Sequence, residues 1–147
     1  MNRSHANNTP DVLLVEDNLG DVGLVRETFK DLNLPNPIHV LHDGVQALEY
    51  LHQEGKFSDQ PRPGVIILDL NIPKKDGREV LAEIKADPEL KLIPVIILTS
   101  SKAREDIEKS YALHANCYVT KPVVLEDFMR LVSVVAEFWL NVVRLPS

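Results

Sequence analysis

Short runs that are apolar at every position recur along this chain, and each stops at residues able to do chemistry. Val12-Leu13-Leu14-Val15 runs into Glu16-Asp17, Val65-Ile66-Ile67-Leu68 into Asp69, and Val95-Ile96-Ile97-Leu98 into Thr99-Ser100. Cys117-Tyr118-Val119 ends in the same way at Thr120-Lys121-Pro122. A strand with no polar alternation is covered on both faces, the condition of a parallel sheet held between two layers of helices. Ligands of such open sheets bind outside the carboxyl ends of the strands. Three acids, a hydroxyl and a lysine are therefore delivered to the edge where a ligand would sit.

Helical patterns fill the spaces between the runs. Gly20–Lys30 puts Val22, Val25 and Phe29 on one face, and after Pro35-Asn36-Pro37 a short strand covers Ile38–Leu41. Asp43-Gly44 reads as a turn into a helix marked by Ala47, Leu48 and Leu51. Gly55 to Gly64 is the longest loop signal, and a helix carrying Val80, Leu81 and Ile84 stops near Asp87-Pro88. A helix over Ala103–Leu113, a fifth strand over Cys117–Thr120 and a long closing helix complete the pattern. Strands alternating with helices predict an α/β domain. With 147 residues, we expect one domain over 11–147, preceded by a flexible segment 1–10, with no second catalytic set and no output domain after it.

Charge and composition exclude several functions. A net charge of -6 is wrong for a nucleic-acid binder, whose partner demands a basic patch. A single cysteine rules out an internal disulfide or a cysteine zinc site, and Cys117 reads as a small buried hydrophobe. Met1 to Pro10 is polar and lacks the apolar core of a secretory signal, and no apolar run is long enough to span a membrane. A cytosolic location is expected.

Glu16 and Asp17 alone could be a solvated loop pair or a helix cap. Asp69 is harder to explain, because an unpaired buried carboxylate is costly. If the first and third runs pair side by side, Asp17 and Asp69 come close and repel by several kcal/mol at an effective dielectric of about 20. A hard divalent cation relieves that repulsion, and carboxylates with a backbone carbonyl and waters suit Mg²⁺. Lys121 precedes Pro122, which favours an extended residue before it and allows a cis bond. Lys121 and Thr99 together offer donors to phosphoryl oxygens, with Asp69 as the nucleophile.

At this point the chain resembles the receiver domains of two-component response regulators. The matching residues are Glu16-Asp17, Asp69 with Ile72-Pro73-Lys74-Lys75-Asp76-Gly77, Thr99-Ser100, and Tyr118-Val119-Thr120-Lys121-Pro122. The resemblance implies a flavodoxin-like (βα)5 fold with strand order 2-1-3-4-5, helices on both faces and an extended last helix. It implies that Asp69 accepts phosphate from a histidine kinase. Asp17 and Asp69 would ligate Mg²⁺ directly, Glu16 through water, and Asn71 by its backbone carbonyl. Lys121 would contact the phosphoryl group, and Thr99 and Tyr118 would form the switch pair. Such a protein is a signalling phosphoacceptor, not an enzyme for external substrates. A phosphorelay intermediate served by another kinase is the alternative within the class.

Two other classes fit less well. A haloacid dehalogenase-type hydrolase would need a second acid two residues after the nucleophile, where this chain has Asn71. A flavodoxin would need a phosphate loop rich in Ser, Thr and Gly after the first strand, where Glu16-Asp17 would repel the phosphate.

A narrower resemblance is to the small response regulators that partner bacterial phytochromes, especially the cyanobacterial type. It rests on Val15-Glu16-Asp17-Asn18 with Gly20-Asp21, Pro61-Arg62-Pro63, Leu70 through Lys85, Leu113-His114-Ala115-Asn116-Cys117-Tyr118, and Phe138-Trp139-Leu140 with Leu145-Pro146. His114 stands where many receivers have glycine, and histidine enters positive φ more readily than most residues. His39, His42 and His52 form no ligand set. The resemblance implies a kinase partner that carries a bilin.

The closing helix has more apolar surface than one sheet-facing stripe needs. Glu126, Arg130, Ser133, Glu137, Asn141 and Arg144 form a narrow polar stripe, with apolar residues on both sides. We expect a homodimer through the fourth-helix, fifth-strand, fifth-helix face, built on Tyr118, Phe128, Phe138, Trp139 and Leu140. The downstream protein partner is unknown, and neither nucleic acid nor membrane is expected as a partner.

Overall fold

The computed structural model describes residues 9–146. Its elements run β1 (Val12–Val15), α1 (Leu19–Asp31), β2 (Ile38–Leu41), α2 (Gly44–Leu51), β3 (Val65–Leu68) and α3 (Gly77–Ala86). They continue with β4 (Val95–Thr99), α4 (Arg104–Ala112), β5 (Cys117–Thr120) and α5 (Leu125–Glu137), which leads into a π turn over Phe138–Val142. The sheet is parallel throughout, in the order β2-β1-β3-β4-β5. Fold class and strand order agree with the expectation. Of the expected flexible segment 1–10, residues 1–8 lie outside the described residues, while Pro10 is anchored by its carbonyl, which accepts from Asn36 Nδ2 at 2.9 Å.

Strand alternation divides the core in two. Leu13, Val15, Ile66, Leu68, Val95 and Ile97 pack under α2 and α3. Val12, Leu14, Val65, Ile67, Ile96 and Leu98 pack under α1 and α5. β1, β3 and β4 are buried at every position, whereas the edge strand β5 is only half-buried throughout. Cys117 is accordingly half-buried, not the enclosed hydrophobe expected of it.

The helices that follow β1, β2 and β3 each have a start fixed by a capping side chain. Asn18 Oδ1 accepts from Asp21 N at 3.0 Å, Asp43 Oδ1 from Gln46 N at 2.8 Å, and Asp76 closes a capping box with Glu79. Two glycines let these turns pack. A Cβ on Gly77 would sit 2.4 Å from the Asp69 carbonyl oxygen and 2.6 Å from Leu70 Cα. One on Gly44 would sit 2.0 Å from the Lys75 carbonyl oxygen. The loop after β3 is thus pressed between α3 and the start of α2, which fixes the backbone beneath Asp69.

His114 adopts φ 73°, as its place before β5 anticipates, and no cis peptide occurs among the described residues, so Lys121–Pro122 is trans. The closing helix requires one correction. Phe128 is 3 % exposed and packs with Val132 and Ala136 against the sheet, so it cannot belong to an outward dimer face. Phe138 is exposed, and Trp139 and Leu140 are half-buried against the same core. The unpaired apolar surface is carried instead by Val134, Phe138 and Val142, which are 62 %, 48 % and 67 % exposed and follow one another at a spacing of four.

Candidate functional site: an acidic pocket at the strand ends

The register brings Val15 level with Leu68, so the residues that follow them leave the sheet side by side. One carboxylate oxygen each from Glu16, Asp17 and Asp69 lies within 4.8 Å of the others. Glu16 and Asp69 are buried, at 2 % and 6 % exposure, while Asp17 is exposed. The three acids expected from the sequence are therefore together.

β5 supplies their counter-charge. Lys121 Nζ lies 2.7 Å from Glu16 Oε1, 2.8 Å from Asp21 Oδ2 and 2.9 Å from Asp69 Oδ2. An ammonium has three donors, and here every one meets a carboxylate. The second oxygen of Asp69 accepts from Asn71 N at 3.1 Å, and the second oxygen of Glu16 accepts from Asn18 N at 3.2 Å. The site's electrostatics follow from burial. Loss of water pushes the Glu16 carboxyl up to about 7, against the lowering effect of Lys121, and the nearby Asp69 charge adds to the rise. Burial would pull Lys121 down, but the hydrogen bonds with Asp21, Glu16 and Asp69 outweigh it and hold the ammonium above its ordinary value.

Thr99 ends β4 beside Lys121, whose backbone N–H donates to the Thr99 carbonyl at 2.8 Å. Thr99 is wholly buried, and its hydroxyl has no hydrogen-bond partner. An unsatisfied buried hydroxyl costs about 1–3 kcal/mol, so it calls for an explanation. Tyr118, two strand positions before Thr120, is half-buried with its hydroxyl donating to Ser101 O at 2.9 Å. Asn71 is exposed beside Asp69.

The structure also brings in residues that carried no individual role in the sequence. Asp21 reaches Lys121 from the first turn of α1; the sequence marked it only as part of the Gly20-Asp21 string, with no role assigned. Arg78 pairs with Asp106 through two bonds of 2.8 Å and with Asp76 through a third of 2.8 Å. Asp106 in turn accepts from Ser101 Oγ at 2.6 Å. Arg78 and Ser101 together hold the Asp106 carboxyl down at about 2. This network ties the start of α3 to the loop after β4 and so to the carbonyl that Tyr118 holds.

Chemically the pocket offers hard oxygen donors, a buried carboxylate at Asp69, an ammonium and an unpaired hydroxyl. The donor set fits a divalent cation of the Mg²⁺ kind, which prefers carboxylates to nitrogen or sulfur ligands. The unpaired Thr99 hydroxyl and Lys121 fit an anionic oxygen placed beside Asp69.

Comparison with known proteins agrees. The family model described as "Response regulator receiver domain" matches residues 12–133. The response regulator Rcp1 of Synechocystis sp. is 48 % identical over 145 residues, covering 98 % of this chain and 99 % of the relative. The crystal structure of the phosphorylated cyanobacterial phytochrome response regulator RcpA superposes with a TM-score of 0.91 at 48 % identity, covering 94 % of this chain and 99 % of that one. The Mn²⁺-bound form of Rcp1 gives 0.92 at 48 % identity, with the same coverage. The buried aspartate at the end of β3, the paired acids after β1 and the lysine after β5 are thus the acidic pocket of a two-component response regulator, and the chain belongs to the receiver domain family.

Proposed function

We propose that this protein is a receiver switch that takes a phosphoryl group onto Asp69 from a histidine kinase, with Mg²⁺ held by Asp17, Asp69 and the Asn71 carbonyl and, through water, by Glu16. The observation that carries the reading is the environment of Asp69: a buried carboxylate bonded to Lys121 and set among two further acids. An in-line transfer forms the bond from Asp69 Oδ to phosphorus as the bond to the donor's leaving group breaks. Mg²⁺ would neutralise charge on the transferring group. Lys121 holds one phosphoryl oxygen, and the Thr99 hydroxyl gains the partner it lacks by turning toward another. Tyr118 then responds to the moved loop on the output side, a few kcal/mol of new contacts biasing a two-state element.

The kinase we propose is a phytochrome, which is supported by the likeness to RcpA and Rcp1 along nearly the whole chain. Residues 11–147 act as one receiver unit in the cytoplasm, and the output is contact with another protein. Homodimerisation through α4, β5 and α5 is supported by the apolar row Val134, Phe138 and Val142 beside half-buried Trp139 and Leu140.

The test is incubation with Mg²⁺ and acetyl phosphate, followed by intact mass. One added phosphoryl group, labile to base and lost in Asp69→Asn, is the expected result. An undiminished adduct in Asp69→Asn would overturn the assignment. Transfer from purified histidine kinases, phytochromes among them, identifies the donor, and preferential transfer from a non-phytochrome kinase would refute that part.

A further inference from the structure

The metal-binding acids and the phosphoryl-binding lysine account for four of the charged groups in the pocket; Asp21 is the fifth and has no role in that scheme. It lies in the first turn of α1, its side chain 21 % exposed, and it is not among the acids whose oxygens cluster for a metal. Its carboxylate nevertheless takes one of the three donors of Lys121, at 2.8 Å, as close as Glu16 and Asp69 hold theirs.

That division has consequences because Asp69 changes during the reaction and Asp21 does not. On that scheme a divalent cation would bind Asp69 directly and Glu16 through water, and two positive charges near one carboxylate compete. When Asp69 carries phosphate, its carboxylate has become an acyl phosphate and is a poorer acceptor. Asp21, outside the metal cluster and never phosphorylated, stays an acceptor within reach of Nζ at every stage.

We propose that Asp21 is a positioning residue that draws the Lys121 ammonium away from the metal-binding carboxylates and competes with the phosphoryl oxygens for it. This rests on the function proposed above. The two effects have opposite signs. Without the Asp21 charge, the ammonium falls back on Glu16 and Asp69, where it opposes a cation, and the pocket loses one of its anions; Mg²⁺ binds more weakly. At saturating Mg²⁺ the same ammonium is free for an incoming phosphoryl group, and one source of repulsion toward an anionic donor is gone; Asp69 is phosphorylated faster. The transfer balances as before: the new Asp69 O–P bond forms as the P–O bond to acetate breaks, and the electron pair leaves on acetate.

Asp21→Asn separates the two. We expect its Mg²⁺ dissociation constant, by titration calorimetry, to rise about three- to tenfold, and its rate of phosphorylation by acetyl phosphate at saturating Mg²⁺ to rise by a similar factor. Asp21→Glu keeps the charge and should stay within about twofold of the parent on both readouts. Thermal unfolding of each variant reports its folding. A variant loosened only in structure would lose on both measures together, and that result, or no change in either, overturns the proposal. The two readings fail separately. If the unaltered protein takes no phosphate on Asp69, the proposed function falls, and the calorimetric arm still decides whether Asp21 governs the ammonium. If the unaltered protein is phosphorylated and Asp21→Asn matches it, the function stands and the role of Asp21 is refuted.

Discussion

Replacing Glu16 by glutamine should make the metal-free protein more stable at high pH relative to the parent, because the pocket charges a buried carboxyl that has lost its water. The Glu16 pKa rises from 4.5 to about 7 in the folded state, chiefly through burial at 2 % exposure. Between those values the unfolded chain has released the proton while the folded chain keeps it, so stability falls as pH rises. This group's contribution is full below pH 4.5 and at its minimum above about 7, a loss of about 3 kcal/mol. Glu16→Gln keeps the shape and removes the titration. The difference in unfolding free energy, variant minus parent, should therefore grow by about 3 kcal/mol between pH 4.5 and 8, or about 6–12 °C in Tm for a domain of this size. His42, whose ring nitrogen lies 2.9 Å from the Glu16 carbonyl oxygen, is present in both proteins and cancels in the difference. The assay is urea unfolding in EDTA across that range. Adding Mg²⁺ should then restore the parent more than the variant, since a ligand stabilises only the state that binds it. A difference that stays flat from pH 5 to 8 would show that burial does not set the energetics of this pocket.

Three further outcomes follow from the packing. Gly77→Ala places a methyl group 2.4 Å from the Asp69 carbonyl oxygen; it should cost about 1–3 kcal/mol in urea unfolding, as overpacking does, and slow phosphorylation of Asp69 by displacing its backbone. Arg78→Ala and Asp106→Ala should couple by about 1–2 kcal/mol in a double-mutant cycle, since the two guanidinium bonds are partly shielded from solvent. Val132→Ala and Val134→Ala should part company: the buried Val132 lowers stability by about 1–3 kcal/mol, while the exposed Val134 leaves folding nearly unchanged and weakens self-association in analytical ultracentrifugation.

What the sequence disclosed was governed by how local the signal was. β1, β2, β3 and β5 match their expected limits residue for residue, and β4 extends by one residue to Thr99; for β1, β3 and β4 the reason is that continuous apolar runs encode a strand buried on both faces. The strand ends in turn delivered Glu16, Asp17, Asp69, Thr99 and Lys121 to one pocket. Phe128 was misplaced for a physical reason. A helix apolar over most of its circumference does not fix its rotation about its own axis, so period alone cannot separate the sheet-facing residue from the outward one. The partnerships of Lys121 with Asp21 and of Arg78 with Asp106 join residues 100 and 28 positions apart, and no local pattern marks them.

On the function proposed above, the same contrast would let the pocket report to a distant face. Its own contacts are polar and mutually costly: like charges held close, a carboxyl pushed up to about 7, and a hydroxyl without a partner. The sheet beneath is close-packed aliphatic core, whose strands do not deform by small degrees. Strain at the strand ends is therefore relieved by the loops, and the loop after β4 is the one that meets both Thr99 and the Ser101 carbonyl held by Tyr118. Arg78 and Asp106 tie that loop to α3. On the proposed function, a change at Asp69 would reach Tyr118 on the α4–β5 side through the loop that runs from Thr99 to the Ser101 carbonyl.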